Sequence, residues 1–245
     1  MLKNLSLIIP AYKQEKTIAQ DIKAIDVVLK KLSVVYEILV IVDGCKNTYK
    51  AALKIDNPRV KVFEYKKNYG KGYAVKFGVV KAKYDVIGFI DGGKDINPAS
   101  IPYLLNKMEK YNADIVVGSK LHKESKINYP IFRKILSWGY RNMTYLLFGF
   151  NVRDTQVGLK FFKRKVAKKT FSMVKVNGFA FDVEALAIAN LLGYKKIYDA
   201  PVRLNFNKEF SAKKSRFIKI IPNMIWDTLM IFFRLRILNE YSKSK

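Results

Sequence analysis

The chain has 245 residues, half of them hydrophobic, and sets 46 lysines and arginines against 20 acids, a formal net charge of +26. That is enough apolar material for one sizeable α/β domain and excludes wholesale disorder, while the charge favours polyanionic partners: nucleic acid, an anionic membrane leaflet or phosphorylated ligands. Cys45 is the only cysteine, so no disulfide closes within the chain, which fits a reducing, cytosolic compartment.

Residues 5–9 read as a buried strand, too short for a signal-peptide core and running straight into Pro10. Ile18, Ile22, Ile25, Leu29 and Leu32 then recur at three- and four-residue steps, the pattern of an amphipathic helix. Runs at 38–42, 60–65, 86–90 and 115–117 are apolar on both faces, as parallel strands are. Helices are expected between them at 72–83 and 100–110. This βαβα order predicts a mostly parallel open sheet with helices on both faces, and ligands bound beyond the carboxyl ends of its strands. The second half is less regular. It suggests a helix from Pro130 to 148, a strand at 154–162, a helix at 181–192, a strand at 196–206, an apolar helix at 222–238 and a polar tail at 241–245. The most apolar tract, 217–238, carries Lys219, Asp227, Arg234 and Arg236. A membrane span needs about 20 mainly apolar residues, so none is expected there.

Polar residues gather at three expected strand ends: Pro10-Ala11-Tyr12, Asp43-Gly44 and Asp91-Gly92-Gly93-Lys94-Asp95. Their convergence on one sheet edge favours a nucleotide-type site over ordinary turn chemistry. Asp91 and Asp95 could share a divalent cation with a diphosphate, since Mg²⁺ and Mn²⁺ prefer hard oxygens and neutralise charge on a leaving group. Two acids in a solvated turn are the plain alternative. Asn68-Tyr69-Gly70-Lys71-Gly72 suits either a phosphate loop, although the Walker spacing is absent, or a helix-opening turn. Arg133, Ser137 and Arg141 form one polar line on an otherwise apolar helix, fit to bind a phosphate or simply to be solvated. Lys208, Lys213, Lys214, Arg216 and Lys219 precede Trp226, Phe232 and Phe233. Such a segment anchors on anionic lipid, or docks on the protein's own core or a second copy. His122, the lone histidine, fits a loop position.

In order and spacing, Leu7-Ile8-Ile9-Pro10-Ala11-Tyr12, Ile41-Val42-Asp43-Gly44, Asn68 to Gly72 and Asp91 to Asp95 resemble family-2 glycosyltransferases. That family has the α/β GT-A fold, a Rossmann-like, mostly parallel mixed sheet flanked by helices. Gly118-Ser119-Lys120, Asp154-Thr155-Gln156-Val157-Gly158-Leu159-Lys160 and Phe179-Ala180-Phe181-Asp182-Val183-Glu184 resemble its polyprenyl-phosphate branch. Dolichol-phosphate mannose synthases and dolichyl-phosphate β-glucosyltransferases belong to that branch. The resemblance implies that Pro10, Tyr12, Gln14, Asp43 and Lys71 form the donor-nucleotide pocket, Gln14 standing where Glu is common. Asp91 matches the first acid of the Asp-x-Asp signature, Gly93 falls where the second is expected, and Asp95 takes a further metal-contacting position. Lys120, Arg133 and Ser137 match residues that clamp an acceptor phosphate.

The implied catalytic set is Asp91, Asp95 and Arg133, with Mg²⁺ or Mn²⁺ held by the two acids. The implied reaction is inverting transfer of a hexose from UDP-glucose or GDP-mannose to a polyprenyl, dolichyl-type phosphate. It would take place at the cytoplasmic face of an anionic membrane, on a peripheral protein with no nucleic-acid partner. A phosphomonoester is already anionic near neutral pH, so the reaction needs no general base. The near rival is a family-2 enzyme acting on a saccharide or glycolipid hydroxyl, and the distant one a non-catalytic basic membrane- or RNA-binding protein. The expected layout is a catalytic domain over 1–210, with a donor half at 1–117 and an acceptor half at 118–210. A basic, apolar membrane-associating segment with an amphipathic interfacial helix follows at 211–245.

Overall fold

The computed structural model describes residues 4–93, 95–125, 131–150, 152, 154–204 and 214–241, with 131–135 and 214–219 described by backbone alone. One seven-stranded sheet organises them, in the order β3-β2-β1-β4-β6-β5-β7. Its strands are β1 (Asn4–Ala11), β2 (Val35–Asp43), β3 (Val60–Tyr65), β4 (Val86–Ile90), β5 (Ile115–Ser119), β6 (Leu159–Lys163) and β7 (Ile197–Pro201). β6 runs antiparallel to β4 and β5, and the other pairings are parallel. The sheet is therefore mixed, and the carboxyl ends of β1, β2 and β4 share one edge.

Alternation along the strands feeds two cores. Leu5, Leu7 and Ile9 of β1 join a cluster with Ile18, Ile22 and Ile25 of helix α1 (Ile18–Lys30) and Leu104 of α4 (Ile101–Lys110). Ile8 faces the other way, among Val75 of α3 (Lys71–Lys81), Phe171 of α6 (Arg164–Met173) and Phe181 of α7 (Phe181–Leu191). Burying each such side chain stabilises the fold by roughly 1.5–3 kcal/mol, which is why β1 reads as unbroken apolar residues on both faces.

Helices α5 (Ile131–Phe148) and α8 (Lys214–Phe232) lie outside this sandwich, joined by the Tyr140 hydroxyl and Thr228 Oγ1 at 2.7 Å. Several boundaries differ from the sequence reading. The expected strand at 154–162 begins only at Leu159, because the Asp154 carboxylate accepts the Gln156 N–H and ties the preceding residues into a turn. The last helix starts at Lys214, with Pro222 inside it, and ends in a π-turn at Phe233–Ile237. Two helices were not foreseen: α6, and α2 (Lys46–Leu53), which buries only Thr48 and Ala52 and so carries almost no apolar period.

Tyr241 is no tail residue. Its ring is buried, and its hydroxyl donates to Glu184 of α7, a fully buried carboxylate that also accepts the N–H groups of Lys175 and Val176. Burial is the main influence raising the Glu184 carboxyl above its ordinary range. Residues 242–245, with Lys208 and Lys213 of the expected basic run, lie outside the described residues. The described part of that segment, residues 214–241, thus docks on the domain through Ile231, Leu235 and Tyr241 and leaves Trp226, Leu229 and Phe233 exposed.

Candidate active site

Asp43 ends β2 nearly buried, at 3 % exposure. Its Oδ1 accepts the Tyr69 N–H at 2.8 Å, and its Oδ2 accepts the Gly70 N–H and Asn68 Nδ2, each at 2.9 Å. The Gly72 N–H donates to the Asn177 carbonyl. The loop opening α3 therefore spends these backbone donors inside the protein, which favours the helix-opening turn over a phosphate loop. A carboxylate offers about four acceptor positions, so these three donors leave one of them on Asp43. Tyr65, Tyr69 and Tyr73 cluster beside it with ring centroids 4.7–5.7 Å apart. Burial, and then the Asp43 charge, push the Tyr65 phenol well upward.

Asp91 follows β4 at the same edge. Its N–H donates to the Gly158 carbonyl at 2.8 Å, and Lys71 Nζ lies 2.6 Å from Oδ1 and 2.8 Å from Oδ2. Both side chains are partly open, Lys71 at 20 % and Asp91 at 29 %. Gly158 makes room for them, since a Cβ there would sit 1.9 Å from the carboxylate. Gln14, after β1, folds over the next two residues. A Cβ on Gly92 would meet Gln14 Oε1 at 2.6 Å, and one on Gly93 would meet Gln14 Nε2 at 3.3 Å. Gly93 also has φ +94°, a conformation an L side chain rarely adopts, and its N–H donates to Asp21 of α1 at 2.8 Å. The two departures from the family pattern, Gln14 and Gly93, are thus neighbours: the amide lies against the position that would carry the second acid.

Hard oxygens suited to a divalent cation are present. Gln14 Oε1 is buried with no hydrogen-bond partner, and Asp91 Oδ1 is buried with only the charge contact to Lys71. No group of three or more His, Cys, Asp or Glu gathers around a common point among the described residues. A cation here would draw its remaining ligands from phosphate and water, the usual habit of Mg²⁺. Asp95 stands in the turn after Gly93, and the following Ile96 is pinned by a bridge to Leu204. Lys94 lies outside the described residues.

Across the edge, β5 ends at Ser119 and Lys120 follows in a turn. The Lys120 N–H donates to Asp154 at 3.3 Å, and His122 Nδ1 accepts the Glu124 N–H in a loop. Arg133 and Ser137 lie one turn apart on α5; Ser137 is exposed, and the Arg133 side chain is outside what is described. Arg141 follows one turn further along the same helix. It borders a cavity of about 510 Å³ against Ile197, Tyr198 and Asp199, the amino-terminal part of β7 and so away from the Asp91 edge. Asp182, at the start of α7, is paired with Lys160 of β6 at 2.9 Å, and Lys160 is fully buried and also donates to the Val157 carbonyl.

Residues 6–171 match the sequence pattern of glycosyl transferase family 2. The chain belongs to that family. Among its relatives is the dolichyl-phosphate β-glucosyltransferase of Mus musculus, 31 % identical over 260 residues, covering 96 % of this chain and 76 % of that one. The human protein of the same name is 29 % identical with the same coverage. Among solved structures, mannosyl-3-phosphoglycerate synthase from Rubrobacter xylanophilus superimposes with a TM-score of 0.69 at 16 % identity, over 96 % of this chain and 76 % of that one. Glucosyl-3-phosphoglycerate synthase from Mycobacterium tuberculosis, in complex with Mn²⁺, UDP and phosphoglyceric acid, gives 0.67 at 19 %, over 94 % and 78 %. These two share the fold.

As a family-2 glycosyltransferase the protein is an enzyme, and the reading as a non-catalytic basic protein falls away. In this glycosyltransferase the structure joins Lys71 to Asp91 and sets Gln14 against the residues that follow. It adds three residues that the sequence reading gave no role. Gly158 and Lys160 lay inside a motif already noticed. Asp21 was visible as an acid within the apolar stripe of α1.

Proposed function

We propose that this glycosyltransferase moves a hexose from a nucleoside-diphosphate sugar, UDP-glucose or GDP-mannose, to a polyprenyl phosphate of the dolichyl type. The relatives named dolichyl-phosphate β-glucosyltransferase align with nearly the whole chain, acceptor half included, and that is the observation that carries the reading. Pro10, Tyr12, Gln14 and the remaining acceptor position of Asp43 would face the nucleoside, with Lys71 near the diphosphate. Asp91 and Asp95, with Gln14 as a neutral oxygen, would hold Mg²⁺ or Mn²⁺. Bound there, the cation would neutralise charge growing on the departing diphosphate. The M. tuberculosis complex with Mn²⁺ and UDP agrees with that choice of ion.

On the acceptor side, Lys120, Arg133 and Ser137 would fix the lipid phosphate so that its oxygen attacks the anomeric carbon opposite the leaving group. The new C–O bond forms as the bond to the diphosphate breaks, and no proton has to move, because the phosphomonoester is already anionic. The carboxylates nearby suit such a reaction. Asp154 is engaged by backbone N–H groups, Asp182 by Lys160, and Glu184 by Tyr241 and two N–H groups. One acid favours the rival hydroxyl acceptor. Asp227 of α8 lies beside Gly178, and burial raises its carboxyl above the ordinary range, as a general base requires.

The membrane belongs to the same proposal. Trp138, Tyr145 and Leu146 of α5 and Trp226, Leu229 and Phe233 of the last helix are all exposed, on a strongly cationic protein. Among the described residues no helix is long and apolar enough to cross a bilayer. Helices of this composition settle into an anionic interface, which suits a peripheral enzyme at the cytoplasmic face.

A panel of acceptors tests the reading. Purified protein given UDP-glucose or GDP-mannose with Mn²⁺ is expected to glycosylate a short polyprenyl phosphate at least about 100-fold faster than the matching polyprenol or a saccharide, the scale of discrimination that charged, hydrogen-bonded recognition supplies. Preference for an alcohol, lost in Asp227→Asn, would establish the rival.

A further inference from the structure

We infer that Lys71 is the place-holding cation of the metal site, and that it couples metal binding to diphosphate binding. The inference rests on the donor-site reading above and deepens it. The Lys71 ammonium touches both oxygens of Asp91, at 2.6 and 2.8 Å, and so claims the carboxylate that a divalent cation needs. An ammonium and a dication on one half-buried carboxylate repel each other strongly. Metal entry therefore requires Lys71 to withdraw, and withdrawal requires another anion for it to meet.

A nucleoside diphosphate is that anion. Lys71 is the first residue of α3, on a flexible four-carbon stem, and its ammonium lies 5.8 and 5.9 Å from the ring centres of Phe181 and Phe179. These rings offer it a face as it shifts. It then serves the phosphates as a mobile point charge, the lysine mode of phosphate binding. Gly93 strengthens the case. With glycine at that position, a metal would rely on Asp91 and on Asp95 further along the turn, so the hold of Lys71 on Asp91 bears directly on metal entry. The enzyme consequently takes up metal and donor together, and neither ligand alone binds well.

The test reads metal binding directly. Mn²⁺ titrations followed by electron paramagnetic resonance would compare wild type, Lys71→Met and Lys71→Gln, each with and without UDP, with melting curves to confirm folding. Two variants of different polarity guard against one that fails to fold. In wild type, UDP and Mn²⁺ should strengthen each other's binding by the same factor, about tenfold, within the usual range of coupling between sites. Lys71→Met and Lys71→Gln should bind Mn²⁺ alone about tenfold more tightly than wild type, with a mutual enhancement smaller than in wild type, the remainder coming from direct ligation of the metal by the diphosphate. Folded variants that bind Mn²⁺ alone no better than wild type, while wild type still binds UDP and Mn²⁺ together, would overturn the inference and leave the donor site standing. If wild type binds neither UDP nor GDP even with Mn²⁺, the donor-site reading itself has failed, and the inference goes with it.

Discussion

Asp91→Ala should abolish transfer, with turnover falling by at least about 10³-fold, the equivalent of roughly 4 kcal/mol of lost transition-state stabilisation. The carboxylate combines a backbone anchor, a cationic partner and a partly open face. Removing it takes away the charged oxygen that any bound cation would need and leaves Lys71 without its partner. The fold should survive, because the N–H to Gly158 contact belongs to the backbone and Lys71 remains partly solvated. Calorimetry should show UDP binding that no longer responds to Mn²⁺, alongside a melting temperature within a few degrees of wild type. Full turnover would mean that the diphosphate site lies elsewhere.

Lys160→Met should act through stability instead. Lys160 and Asp182 are both essentially buried, and truncating one partner of such a pair leaves an uncompensated charge, at a cost of about 3–5 kcal/mol. For a chain of this size that corresponds to a fall in melting temperature of roughly 10 °C. Lys160→Met combined with Asp182→Leu should recover most of the loss, because an apolar pair replaces a buried ionic one at little net cost. Lys160 also donates to the Val157 carbonyl, one residue before the Gly158 that cradles Asp91, so the single variant should lose turnover as well. A Lys160→Met protein that melts like wild type would show that the pair does not hold β6 to α7.

Much of the donor half was legible because its signals are local. Buried parallel strands read as unbroken apolar runs, and Asp43 and Asp91 follow them at the shared edge. What escaped depends on contacts between distant residues. Gly93 read as a gap in a motif, and only the fold sets Gln14 against it across some eighty positions. Asp182 and Glu184, two apart on a helix, could be expected to face different ways, but only the fold shows that one meets Lys160 and the other Tyr241. Arg141 continued a tidy line on α5, but the helix carries it away from the strand ends towards β7. The buried Tyr241 was hidden because its anchor, Glu184, lies on α7, more than fifty residues earlier.

A lipid-phosphate acceptor is tested most directly by a phosphorus spectrum of the reaction. With wild-type protein, a nucleotide sugar, Mn²⁺ and a short polyprenyl phosphate, the lipid phosphomonoester signal should disappear as a phosphodiester signal grows, in step with release of the nucleoside diphosphate. A lipid phosphate that remains a monoester while nucleoside diphosphate accumulates and sugar appears on a hydroxyl acceptor would contradict it.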